Sequence, residues 1–205
     1  HNDARRQRQM CIRDSLRAGT TTAVYYGTIH QRANQILADV CIDKGQRAII
    51  GKVVMDNTDQ CPDYYRDAST QAAIDGTSEF LDYVKNHGKN IENKVNVAVT
   101  PRFIPSCTDE ALNALGDLAS THSSYIQTHC SESDWEHNYV IERCGKSDTE
   151  ALMEYGLLTE STILAHGNFI SENDMDLIKE QGAGVAHCPL SVSYTHLTLP
   201  TSVIV

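Results

Sequence analysis

The sequence lacks any apolar run approaching the ~18 residues of a membrane-spanning helix, and no secretory signal is read at its start. A transmembrane or secreted protein is therefore not expected. Positive charge is also scarce: 17 Lys and Arg stand against 27 Asp and Glu, a net charge of −10. Phosphate backbones and anionic lipids are bound by basic patches, so neither nucleic acid nor a membrane surface is an expected partner. The 7 cysteines make no CxxC pair. An odd, unpatterned set suits reduced thiols, most of them small buried hydrophobes, and a cytoplasmic location. No glycine-rich phosphate loop follows the first β-rich run, which disfavours a doubly wound nucleotide-binding sheet. The remaining composition, 40% hydrophobic over 205 residues, suits one globular domain or part of one.

The two ends share a nucleotide origin. One DNA string encodes residues 192–201, and its reverse complement, read one base in, encodes residues 6–14. The string resembles a transposase sequencing adapter. Residues 1–15 and 192–205 are thus expected to be artefactual ends outside the fold, with Cys11 and His196 carrying no functional weight. The expected domain is 16–191.

Within that domain strand and helix signals alternate. Residues 19–25, 46–55, 95–100, 125–129, 162–166 and 182–186 read as β-rich runs. Between them, residues 31–44, 70–87, about 108–121, 133–144, 148–155 and 171–181 carry helical spacing, while 56–67 reads as a long loop. Thr108 or Ser106 is expected to cap the third of these helical stretches, the one before His129. Strands alternating with helices predict parallel βαβ units, and six of them predict a partial (β/α)₈ barrel lacking its first and last strands.

Several of these runs end on histidine or arginine. The most telling is Tyr125-Ile126-Gln127-Thr128-His129, followed three residues later by Glu132. Another ends at His166-Gly167, and a third at His187-Cys188-Pro189. In a parallel barrel the C-terminal strand ends face one cavity. Histidines there ligate metals or handle protons, and a carboxylate beside them can manage a proton of an attacking water. A lone strand-end histidine is more often a structural hydrogen bonder; three at successive strand ends with an acid between them favour a site. Arg102, at the end of the preceding strand, offers a planar donor fork, and Phe103 a stacking ring. His30, His87, His122 and His137 are expected to be exposed bystanders.

These residues carry a family resemblance. Gly19-Thr20-Thr21-Thr22-Ala23, Thr28-Ile29-His30, Gly45-Gln46-Arg47-Ala48 with Gly51-Lys52-Val53, and Val99-Thr100-Pro101-Arg102-Phe103 are the first blocks. Gln127 to Glu132, Leu164-Ala165-His166-Gly167 and Ala186-His187-Cys188-Pro189 complete them. Together they resemble the amidohydrolase superfamily and, through Thr100-Pro101-Arg102-Phe103, its guanine deaminase branch.

The resemblance implies a zinc-dependent hydrolytic deaminase, one Zn²⁺ per site, converting guanine to xanthine and ammonia. It implies that His129 is the metal ligand, that Glu132 shuttles protons and that His166 orients or deprotonates the metal-bound water. Arg102, Phe103, His129 and Glu132 would contact the purine, with His187 in support. A homodimeric parent is the expected assembly. The family's first-strand His-x-His pair and eighth-strand aspartate are not found in this sequence. The resemblance therefore implies an internal fragment, inactive on its own, of an active parent. Two other readings stay open: a related amidohydrolase acting on another aminated or chlorinated heterocycle, and a non-catalytic βα domain with structural histidines.

Overall fold

A computed structural model describes residues 2–188, with side chains from residue 9 onward. Strands β1 (Thr22–Tyr26), β2 (Arg47–Val54), β3 (Val95–Pro101), β4 (Tyr125–Cys130), β5 (Thr162–His166) and β6 (Gly184–Ala186) form one sheet in chain order. Every neighbouring pair is parallel. Parallel neighbours need crossovers, and helices supply them. Helix α1 (Asn2–Arg17) precedes β1; α2 (Gln31–Lys44), α3 (Thr70–Lys85) and α4 (Asp109–His122) make the first three crossovers. The β4-to-β5 crossover holds α5 (Asp134–Cys144) and α6 (Asp148–Glu154), and α7 (Glu172–Gln181) leads to β6. The result is the expected open section of a (β/α)₈ barrel.

The sheet packs its outer face against the helices. Leu112, Leu115 and Ala119 of α4 bury against Val99, Ile126 and Leu164 of the strands. Phe80 and Val84 of α3 and Val40 of α2 bury against Ile50 and Val97. Both stripes follow the helical period of the sequence. Gly116 allows α4 to press against the turn after α6, since a Cβ there would lie 1.9 Å from the Tyr155 carbonyl oxygen. Five helices start on a hydroxyl cap that accepts an N–H three residues on: Ser69, Thr108, Ser133, Ser147 and Ser171. Thr108, not Ser106, caps α4; the buried Ser106 donates its hydroxyl to the Phe103 carbonyl.

The first end departs from the expectation that residues 1–15 lie outside the fold. Residues 2–15 belong to α1, and Ile12 is 2% exposed, buried in one cluster with Leu37, Val40 and Cys41 of α2. Ile12 and Leu16 are four apart, so a helix places both on the face turned to α2. Cys11 is exposed. Residues 192–205 lie outside the described residues.

Candidate active site

All six strands run the same way, so their C-terminal ends share one edge of the sheet. The β4–β5 register sets His129 opposite Ala165 and Cys130 opposite His166. By strand alternation His166 shares a side with Leu164, which faces the helices. His166 escapes that side through a left-handed backbone, φ 78°. Its ring stacks on His129 instead, centroids 5.3 Å apart. Such a torsion in a non-glycine residue costs on the order of 1–3 kcal/mol and persists only where surroundings enforce it. Here Gly167 N–H donates to the Cys130 carbonyl at 2.9 Å and Asn168 N–H to the Ser131 carbonyl at 3.0 Å.

His129 Nδ1 lies 2.7 Å from the Arg102 carbonyl oxygen. A carbonyl can only accept, so Nδ1 carries the proton and Nε2 keeps its lone pair. The same carbonyl accepts the His129 N–H at 3.0 Å, and the Tyr26 ring packs 4.4 Å from the imidazole. Burial pushes the His129 pKa below the usual imidazole range, against the opposing pull of the Arg102 carbonyl. Burial also lowers His166, with Glu132 acting in the other direction. Both rings are thus neutral near pH 7, the form that ligates a metal or accepts a proton.

Glu132 Oε1 stands 3.5 Å from His166 Nε2, and the Glu132 side chain keeps 30% exposure. It therefore faces the open mouth while touching the histidine pair. Arg102 is exposed just past β3, its guanidinium 5.4 Å from the Phe103 ring centroid. Phe103 is followed by Trp135, 6.3 Å away and 52% exposed, and then Tyr139, 5.4 Å further. A cation and a short aromatic row thus border the histidine pair, a setting suited to a flat, polar heterocycle. His187 is exposed, and its charge bears on His166; Pro189 lies outside the described residues. Of the four bystander histidines only His30 is exposed. His87, in the loop just past α3, packs 3.6 Å from Asp39, and the His137 ring on α5 stacks 5.9 Å from Phe169.

Two neutral imidazoles with a carboxylate alongside fit part of a catalytic zinc site, which takes three protein ligands. Among the described residues no three His, Cys, Asp or Glu side chains gather as a metal site. At the other end of the strands, a cavity of about 230 Å³ is lined by Val95, Val97, His122 and Tyr125. In barrels that end carries stability rather than chemistry, and no acid–histidine group gathers in its lining.

Four residues of the site were not singled out by sequence: Tyr26, Trp135, Glu136 and Asp148. Only Glu136 had a local signal. Ser133 and Glu136 have capping-box spacing, but Glu136 Oε2 accepts the N–H of Glu132 at 2.9 Å instead of that of the cap residue.

Residues 8–200 match the amidohydrolase family. The chain is 40% identical over 184 residues to guanine deaminase of Mus musculus, covering 88% of this chain and 39% of that protein. It is 42% identical over 178 residues to guanine deaminase of Dictyostelium discoideum, covering 86% and 38%. The crystal structure of guanine deaminase from C. acetobutylicum with bound guanine superposes with a TM-score of 0.84 at 29% identity, over 92% of this chain and 44% of that one. The chain thus spans about two fifths of the length of the curated relatives it matches.

Proposed function

The chain belongs to the amidohydrolase family, and from that premise we propose that it is part of a longer, cytoplasmic guanine deaminase, which hydrolyses guanine to xanthine and ammonia. The observation that supports this most is the meeting of His129, His166 and Glu132 at one strand edge, beside Arg102 and Phe103. Identity of about 40% to curated guanine deaminases favours guanine over other heterocycles.

His129 is the residue that would hold Zn²⁺ through its free Nε2, with the first-strand histidines and eighth-strand aspartate of the parent completing the ligand set. Zinc held there would supply the polarisation that brings the pKa of a bound water down to about 7. The rest of the chemistry falls to this chain's side chains. Arg102 donates to the purine's oxygen and ring nitrogen acceptors, and Phe103 stacks on its face. Glu132 takes one proton from the attacking water and passes it to the ring nitrogen as the oxygen bonds to the amino-bearing carbon. It then takes the second proton from that new hydroxyl and gives it to the amino group, which leaves as ammonia as the C–N bond breaks and the carbonyl forms. His166, 3.5 Å from Glu132, orients the water. Guanine plus water becomes xanthine plus ammonia, with every proton accounted for by the carboxylate. Residues 1–15 and 192–205 are proposed to be adapter-derived, on the nucleotide coincidence between them. A homodimeric parent belongs to the same proposal.

The test is guanine turnover, followed by xanthine absorbance and ammonia release, in the restored full-length protein. Activity is expected there and not in the 205-residue chain with excess zinc. Glu132→Gln and His129→Ala should each abolish it. A full-length protein that turns over another aminated or chlorinated heterocycle but not guanine would replace this substrate assignment.

A further inference from the structure

Below the Glu132 turn, on the side away from the mouth, sit two acids that the chemistry above does not use. Glu136 is 1% exposed and Asp148 fully buried. Each reaches up to the turn. Glu136 Oε2 accepts the Glu132 N–H at 2.9 Å, and Asp148 Oδ2 accepts the Ser131 hydroxyl at 3.0 Å. From the β5 side, Asn168 N–H donates to the Ser131 carbonyl at 3.0 Å and Asn168 Nδ2 to the Glu132 carbonyl at 2.8 Å. Ser131 itself is 2% exposed and left-handed, φ 49°. A strained serine in a turn tied at four points, two on Ser131 and two on Glu132, is a turn held against its own preference.

We propose that Glu136 and Asp148 are positioning residues that clamp the Ser131–Glu132 turn from below and so set the distance between the Glu132 carboxylate and His166. The inference rests on the reading of Glu132 as the proton carrier. Neither acid touches the mouth, so neither is a catalytic residue. Their number is itself informative. Two carboxyl groups buried side by side disfavour both being ionised at once. Burial and the neighbouring Asp148 charge push Glu136 up to about 8. Burial raises Asp148 to about 6. An apolar side chain would be easier to bury. What a carboxyl adds here is an acceptor for the Glu132 amide together with a partner for the second acid.

The experiment uses the full-length protein and three variants. Glu136→Met fills the same space without an acceptor. Glu136→Gln keeps an oxygen for the Glu132 N–H and an N–H donor for Asp148. Ser131→Ala removes only the tie to Asp148. A catalytic group displaced by about 1 Å loses on the order of 100-fold in rate. Glu136→Met should therefore lower kcat by about that factor with KM for guanine little changed, and Glu136→Gln should recover most of it. If Glu136→Met does not fold, Ser131→Ala must show the kcat loss at unchanged KM. Wild-type kcat in folded Glu136→Met, or in folded Ser131→Ala where Glu136→Met does not fold, overturns the proposal. Amide hydrogen exchange separates it from the functional assignment. If the wild type proves inactive on guanine, the Glu132 amide should still be protected in wild type and exchange fast in Glu136→Met. Equal protection in both refutes the clamp.

Discussion

Lys52 projects from the middle of β2 into the interior, where an ammonium group is costly. Its side chain is 3% exposed and its Nζ pairs with Asp67 Oδ1 at 2.9 Å, the Asp67 side chain being 8% exposed. Nζ also reaches the Val53 carbonyl at 3.3 Å. Gly76 of α3 leaves the room, since a Cβ there would lie 3.0 Å from Lys52 Cε. The other Asp67 oxygen accepts the Met55 N–H at 2.9 Å, and the Asp67 N–H returns to the Met55 carbonyl at 2.7 Å. The pair thus ties the 56–67 loop to the end of β2, where Met55 Sδ lies 3.8 Å from Arg102 Nη1. Asp67→Ala strips the ammonium of its counter-charge without removing it. Breaking a buried pair in this way costs about 3–5 kcal/mol, against a typical total stability of about 5–15 kcal/mol. In urea, with an m-value of about 2 kcal/mol/M, the unfolding midpoint of the intact protein should fall by roughly 2 M with m unchanged. The double variant Lys52→Met/Asp67→Ala has no charge to strand. Only the Met55 N–H is left without an acceptor, a loss of about 1–3 kcal/mol, so the double variant should be more stable than Asp67→Ala alone. A single variant costing under about 1 kcal/mol, the range of an exposed pair, refutes the reasoning. So does a double variant no better than the single.

Three further outcomes follow from named contacts. Glu136 holds its proton up to about pH 8 when folded but only to about 4.3 when unfolded. The folded state therefore binds more protons in that window, and stability falls as pH rises through it. At 1.36 kcal/mol per unit the loss is of the order of a few kcal/mol between pH 5 and 8, read by denaturant unfolding at each pH. Glu136→Gln should flatten the slope, and an equally steep slope in that variant would count against the assignment. Gly116→Ala puts a Cβ 1.9 Å from the Tyr155 carbonyl oxygen, forcing α4 or the turn to move. A loss of about 1–3 kcal/mol is expected, and an unchanged Tm would show that the approach is not tight. Phe103→Ala should raise KM for guanine about 10- to 100-fold, as stacking on an aromatic ring contributes about 1–3 kcal/mol per base, with kcat far less affected. An unchanged KM would remove Phe103 from the binding surface.

The alternation of strands and helices was readable from sequence because it is a local property. Val95–Pro101 and Thr162–His166 announce themselves by β-branched and apolar runs, and α4 by its spaced leucines. Parallel order then follows from the helical crossovers, and it is enough to bring His129 and His166 to one edge. The hydroxyl caps at Thr108 and Ser171 are local in the same sense. Other features depended on partners far away in the chain. Strand alternation assigns His166 to the helix side, and only the left-handed torsion, held by bonds from residues 167 and 168 to residues 130 and 131, turns its ring onto His129. No residue type at 166 signals that torsion, as a glycine would. Tyr26 meets His129 across about a hundred residues, and Asp148 reaches Ser131 from another helix. Glu136 carried a capping-box spacing, yet its carboxyl went to a different amide once β5 had fixed the turn above it. Ile12, set aside with its segment on nucleotide grounds, found an apolar face on α2 to bury against. Periodicity and strand-end residue type thus determine the elements and the edge where chemistry gathers. The aim of each side chain within that edge is decided by tertiary hydrogen bonds and packing, because those join residues that the chain order keeps apart.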